Sequence, residues 1–66
     1  MASYYVNRNA QPNGDHEVHV SNCRYFPSNA SYLGDYSSCR PAVTEAKRTY
    51  STANGCATCC PDCHTS

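Results

Sequence analysis

Alternation of apolar and polar residues dominates the first half of the chain. Ser3-Tyr4-Tyr5-Val6-Asn7 is aromatic and β-branched, a composition that suits a half-buried pleated surface, and Gln11-Pro12-Asn13-Gly14-Asp15 follows with dense turn signals. In His16-Glu17-Val18-His19-Val20 the period of two puts His16, Val18 and Val20 on one face and Glu17 and His19 on the other. Ser21-Asn22-Cys23-Arg24 turns the chain, Arg24-Tyr25-Phe26 forms a short apolar patch expected to pack on the sheet, and Pro27 opens a polar loop. Tyr32-Leu33-Gly34-Asp35-Tyr36 reads as a further strand. Its alternation places Tyr32 and Tyr36 on one face and Leu33 on the other, with Gly34 permitting a bulge or a close backbone approach.

The period then changes. Ala42, Val43, Ala46, Tyr50 and Ala53 recur at helical spacing and lay a narrow apolar stripe, with Glu45, Lys47, Arg48 and Thr49 on the solvated side. Ser37 or Ser38 supplies the N-cap, Pro41 falls in the first turn where a missing amide costs little, and Asn54-Gly55 supplies a left-handed stop. These elements predict an α+β domain covering residues 1–66: a small antiparallel β-sheet of two or three strands, one α-helix and a C-terminal cysteine-rich knuckle.

Composition leads one to expect a cross-link. A chain of 66 residues hides only about 60% of the surface that its unfolded form exposes, and here leucine and phenylalanine occur once each while isoleucine and tryptophan are absent. Domains of this size commonly rely on disulfides, a metal or a partner subunit. Five basic and five acidic residues give a net charge of zero, so no long-range field draws the chain to nucleic acid or an anionic membrane. No apolar run approaches the roughly 20 residues of a membrane span, and Met1-Ala2-Ser3 opens neither a basic nor an apolar leader. The expected setting is cytoplasmic, where cysteine pairs more often hold metal than form bridges.

Four of the six cysteines crowd into Cys56-Ala57-Thr58-Cys59-Cys60-Pro61-Asp62-Cys63. Zinc favours four nitrogen or sulfur donors in a tetrahedron, and two ligands separated by two or three residues reach one ion across a tight turn. Cys56-x-x-Cys59, Cys60-x-x-Cys63 and His19-x-x-x-Cys23 all offer such pairs.

Val18-His19-Val20-Ser21-Asn22-Cys23-Arg24-Tyr25-Phe26, then Tyr36-Ser37-Ser38-Cys39-Arg40-Pro41-Ala42, then a glycine followed by paired cysteines, resembles the small zinc-binding modules similar to the metal-binding domain of the bacterial Ada DNA-repair protein. The resemblance covers Val18 to Cys63. It implies that His19 and Cys23 form the first ligand pair and that a pair from the tail forms the second. The chain departs from that pattern in a helix about one turn longer, in four tail cysteines where two are needed, and in a histidine where Ada uses a thiolate. Alkyl transfer is not carried over, because a neutral chain shows no DNA-binding surface. Of the tail pairs Cys60 and Cys63 are preferred, since Pro61 stiffens the turn between them; Cys56 and Cys59 are the alternates, and Cys59 with Cys63 remains open as well.

The other reactive residues have duller readings. His16 shares a face with two valines and is expected to be packed or hydrogen-bonded, and His64 is a reserve ligand at most. Cys39 opens the helix, where the macrodipole favours a thiolate, but burial beneath the helix is the simpler expectation, with a bridge to Cys56 or Cys59 as a third option. Cys60-Pro61-Asp62-Cys63 has the form of a redox dithiol yet lacks the following helix of thioredoxin-type proteins. The six tyrosines read as core in a leucine-poor protein.

The resulting expectation is a non-enzymatic zinc-binding module with a structural metal, recognising a protein or nucleic-acid partner and no membrane. A thiol redox or metal-handling protein is the alternative, and a secreted mini-protein stapled by three bridges is a second one. No nucleophile triad, phosphate loop or paired catalytic carboxylates are present on which an enzyme activity would rest.

Overall fold

The computed structural model describes residues 1–64. It contains β1 (Ala2–Asn7), β2 (His16–Val20), β3 (Ala30–Tyr36), α1 (Cys39–Ala46) and β4 (Ala53–Gly55), followed by a single 3-10 turn over Pro61–Cys63. The strands form one four-stranded sheet in the order β3-β1-β2-β4, so the architecture is α+β as expected. One strand more than expected is present, and it changes the sheet type. β1 pairs antiparallel with both β2 and β3, whereas β4 runs parallel to β2, with His16 opposite Ala53 and Val18 opposite Gly55.

The β1–β2 hairpin follows from its turn residues. Gly14 adopts φ 91°, a left-handed conformation that side-chain-bearing residues rarely take, and donates its amide to the Gln11 carbonyl at 2.8 Å. Across the hairpin Tyr4 faces Val20, Tyr5 faces His19 and Val6 faces Val18, so the two alternating patterns coincide and each sheet face has its own character. One face carries Tyr4, Val6 and Val18, and α1 packs on it through Cys39, Ala42 and Ala46, joined by Ala53 and Cys60. The other face carries Tyr5, His19 and Tyr32.

Two element expectations are corrected. The helix stops at Ala46, about two turns before Ala53, because Thr49, Tyr50, Ser51 and Thr52 are poor helix formers with better partners outside a helix. The Tyr50 ring stacks on His16 with centroids 3.9 Å apart, and the Thr52 hydroxyl donates to the Gly14 carbonyl at 2.8 Å. Ala53 satisfies its apolar spacing from a strand, and Asn54-Gly55 belongs to that strand and is not a helix stop. In β3 a register shift opposite Tyr4 and Tyr5 pairs Gly34 with Tyr4 but Tyr32 with Tyr5, leaving Leu33 as the extra residue. Tyr32 and Tyr36 consequently lie on opposite faces, and Tyr36 packs on Tyr4 with centroids 6.2 Å apart. Gly34 is needed at that place: a Cβ there would lie 3.0 Å from the Tyr36 hydroxyl, at a φ of 135°.

Candidate metal centre

Parallel pairing of β2 and β4 decides where the donors meet. Strands that run the same way end at the same edge of a sheet, so the chain leaving β2 toward Cys23 and the chain leaving β4 toward Cys56 emerge side by side. The Cys23 amide donates to the Val20 carbonyl at 3.1 Å, which folds the post-β2 turn back over the strand. The Cys56 amide continues the β2–β4 ladder to the Val18 carbonyl at 3.0 Å, and the Cys60 amide closes the following loop on the Cys56 carbonyl at 2.8 Å. His19 needs no turn, because its parity already aims it at this face.

The outcome is a cluster of His19, Cys23, Cys56 and Cys59 whose donor atoms all lie within 4.8 Å of one another. His19 Nδ1 is 3.5 Å from Cys23 Sγ and 3.8 Å from Cys59 Sγ, and Cys23 Sγ is 4.0 Å from Cys56 Sγ. Zinc with bonds of about 2.3 Å to sulfur and about 2.0 Å to nitrogen requires donor separations of about 3.5–3.8 Å in a tetrahedron. Three of the six edges, at 3.5, 3.8 and 4.0 Å, lie at or near that figure, and the others lie within 4.8 Å. The donor set, one imidazole and three thiols, is that of the Cys3His structural zinc sites.

The surroundings favour the same reading. His19 is 1% exposed, and burial lowers its pKa while Glu17 opposes the shift, a balance that favours the neutral ring with its lone pair. Glu17 Oε1 lies 3.4 Å from His19 Nε2. A proton on Nε2 aimed at that carboxylate leaves the Nδ1 lone pair directed at the sulfurs, the arrangement by which an outer carboxylate orients a ligating histidine. Burial pushes the Cys59 thiol well up, helped by its hydrogen bond with Cys23, while the Val20 amide pulls the other way. A dry group of thiols resists ionisation on its own, and a divalent cation at its centre reverses that balance.

Of the four expected ligands, His19 and Cys23 stand in this cluster, joined by the alternates Cys56 and Cys59 and not by the preferred Cys60 and Cys63. Cys63 forms a disulfide with Cys39. Cys60 is buried in the core, where its thiol hydrogen-bonds with Cys59 from outside the four-donor cluster. The physical reason lies at Gly55, where an added Cβ would be 2.7 Å from Cys63 Cβ and 2.8 Å from the Cys60 carbonyl oxygen. The tail doubles back tightly over β4, and Pro61 stiffens a turn that aims Cys63 at the start of α1 instead of at His19. Cys39 is buried under the helix as expected, but its bridge goes to Cys63 and not to Cys56 or Cys59.

The remaining candidates settle simply. His16 donates from Nδ1 to the Asn7 carbonyl at 3.0 Å, a packed histidine, and His64 donates from Nδ1 to the Gly55 carbonyl at 3.1 Å. Because Cys63 is bridged outside its own motif, Cys60-Pro61-Asp62-Cys63 does not form a dithiol pair. Cys39–Cys63 is the disulfide among the described residues, and Cys23, Cys56, Cys59 and Cys60 are free thiols, which does not fit a scaffold of three bridges. Sequence reasoning missed Glu17 and Gly55. The Glu17-x-His19 spacing on a strand was the available signal for the first, and the second had none.

No protein-family model, curated protein or solved structure matches the chain. Among the described residues no helix is long and apolar enough to cross a membrane.

Proposed function

We propose that this chain is a non-enzymatic zinc module whose metal, held by His19, Cys23, Cys56 and Cys59, is structural and fixes a surface for recognising a macromolecular partner. The observation that carries the reading is the convergence of four zinc-type donors, one on β2 and three from the segments that follow β2 and β4, to within 4.8 Å. With all four positions taken by protein, no coordination site is left for a catalytic water. The order of the pairs, His-x-x-x-Cys before the helix and Cys-x-x-Cys after it, supports kinship with the Ada-type modules in the metal site alone. A cytoplasmic setting suits the free thiols, and the Cys39–Cys63 bridge is then the one feature that a reducing compartment would open.

Native mass spectrometry tests the proposal. The expected result is one zinc per chain in protein purified without added metal, removed by a chelator together with the ordered structure seen by circular dichroism. Cobalt substitution is expected to give the visible bands of a tetrahedral site with thiolate ligands. A folded, metal-free protein that ignores both zinc and chelator overturns the reading.

A further inference from the structure

Cys63 stands within bridging reach of two cysteines and is bonded to one of them. Its Cα lies 6.3 Å from that of Cys39, its partner in the disulfide. Toward Cys60 the 3-10 turn over Pro61–Cys63 sets the distance. The Cys63 amide donates to the Cys60 carbonyl at 3.0 Å, and a rise of about 2.0 Å per residue puts the two Cα atoms about 6 Å apart. Both separations fall in the range of about 4.4–6.8 Å that a disulfide spans. Cys60 nevertheless carries a free thiol.

The three sulfurs differ in access. Cys60 is 2% exposed and Cys39 8%, whereas Cys63 is half-buried and both its neighbours, Asp62 and His64, are exposed. A small thiol arriving from solvent meets the bridge at Cys63. Cys39 and Cys60 both belong to the buried cluster against which Cys63 packs, so each waits on the protein side of the same sulfur. None of the three is a donor of the metal cluster.

We infer that Cys63 is a thiol–disulfide exchange centre for small thiols and disulfides of the glutathione class, with Cys60 as the resolving thiol, so that the bridge passes between Cys39–Cys63 and Cys60–Cys63. The incoming thiolate bonds to Cys63 Sγ, the Cys39–Cys63 bond breaks, and Cys39 leaves with the electron pair and takes up a proton. The Cys60 sulfur then bonds to the same Cys63 atom, gives up its proton, and expels the small thiolate, which takes that proton. One disulfide has moved and the small thiol is regenerated, so no oxidant is consumed. From the reduced protein a small disulfide is the oxidant. It forms the adduct on Cys63 and releases one thiol, and Cys60 displaces the second, so two protein thiols are oxidised as one disulfide is reduced. In one isomer the tail is tied to Cys39, the first residue of α1; in the other it closes on itself and leaves the helix free. The inference goes beyond the zinc module and does not depend on it, because exchange leaves all four donors untouched.

The test uses the full chain, loaded with zinc, in a mixture of reduced and oxidised glutathione, quenched with acid and a maleimide and digested with trypsin without reduction. Cleavage after Arg24, Lys47 and Arg48 puts Cys39 and the four tail cysteines on separate peptides. A cross-linked pair reports Cys39–Cys63, and a tail peptide bridged within itself beside alkylated Cys39 reports Cys60–Cys63, located by fragmentation. Both isomers are expected in the unaltered protein. Total glutathione is held at about 0.1 mM, roughly tenfold below the effective concentration of a thiol on a short linker. Under those conditions Cys39→Ala is expected to form the Cys60–Cys63 bridge, and Cys39→Ala with Cys60→Ala to hold the glutathione adduct on Cys63 at about tenfold higher occupancy. Native mass spectrometry of the same samples checks fold and zinc content, and the measurement on the unaltered protein needs no substitution. Cys39–Cys63 as the sole bridge of the unaltered protein throughout overturns the inference. So does a Cys39→Ala protein that keeps the adduct with Cys60 alkylated, or a bridge from Cys63 to Cys56 or Cys59, which would make a metal donor the resolving thiol. Absence of zinc from the folded protein overturns the metal proposal separately.

Discussion

Glu17 and His19, two residues apart on β2, share one face of the sheet, and 3.4 Å separates the Glu17 carboxylate from His19 Nε2 while Nδ1 of the same ring faces Cys23 and Cys59. The pair turns a strand's alternation into an oriented ligand, since neither side chain needs a loop to reach the other. Replacing Glu17 with Gln is expected to weaken zinc affinity by about 10- to 100-fold, the range typical of outer-shell partners, with stoichiometry unchanged. Competition against a chelator of known affinity measures it; an unaltered affinity removes Glu17 from the site.

Cysteine substitutions separate the two halves of the tail. Cys56→Ser and Cys59→Ser each remove a donor and are expected to abolish stoichiometric zinc and cooperative unfolding together. Cys60→Ala, which removes a core sulfur that lies beside Cys59 but outside the four-donor cluster, is expected to keep one zinc and to lower stability by about 1 kcal/mol, within the usual span for a small core truncation. Metal analysis and thermal melts of the three variants decide between these outcomes. Loss of zinc in Cys60→Ala with retention in Cys59→Ser reverses the assignment.

The Cys39–Cys63 bridge closes a loop of sequence separation 24. Removing it with the double change to Ala is expected to cost about 3.5 kcal/mol, the chain-entropy value for a loop of this length, and to leave zinc bound. Chemical denaturation of the zinc-loaded protein checks the cost, and mass spectrometry checks the ion.

Gly55→Ala tests how closely the tail folds over β4. A methyl group placed 2.7 Å from Cys63 Cβ and 2.8 Å from the Cys60 carbonyl oxygen forces backbone to move, and overpacking of that kind costs about 1–3 kcal/mol. The same displacement is expected to weaken zinc binding, because Cys56 is the next residue. A fully stable, fully metallated Gly55→Ala protein contradicts the tight reversal.

Acid is expected to loosen the β1–β3 pairing at one identifiable point, the Asp35 carboxylate that accepts from the Ser3 and Tyr32 hydroxyls. Hydrogen bonds from Ser3 and Tyr32 lower the pKa of Asp35 below its ordinary value, so its folded pKa is below its unfolded one. The contribution is present above the unfolded pKa and is lost as pH falls through the folded value. Asp35 is solvent-exposed, so the effect is small and local. Chemical shifts of Tyr32 and Ser3 are expected to follow this titration in the native protein and to stay flat across it in Asp35→Asn.

Much of this was legible in local patterns and the rest was not, for reasons that particular residues make plain. β2 was readable to its ends, because Val18 and Val20 alternate with Glu17 and His19 between strong turn signals, and the same parity correctly separated His19 from His16. The end of α1 was misread, since Ala46, Tyr50 and Ala53 keep helical spacing although Tyr50 is recruited by the His16 ring and Ala53 by a strand. That recruitment is a tertiary effect without a local signature. Cys56 and Cys59 were visible as a pair but not favoured over Cys60 and Cys63, because the decisive fact is the parallel pairing of β4 with β2. Three residues, Ala53-Asn54-Gly55, carry no strand pattern by which to see it.

That pairing also sets the order in which the molecule can be completed. Cys23 and Cys56 are 33 residues apart, so a nascent chain displays His19 and Cys23 well before their counterparts have been synthesised. During that interval β2 has one neighbour instead of two and its far edge lies open, ready to pair with the wrong strand. Threading β4 alongside β2 is thus a late act of assembly, performed by the shortest strand in the sheet, and a metal ion bound to the four donors would serve as its latch.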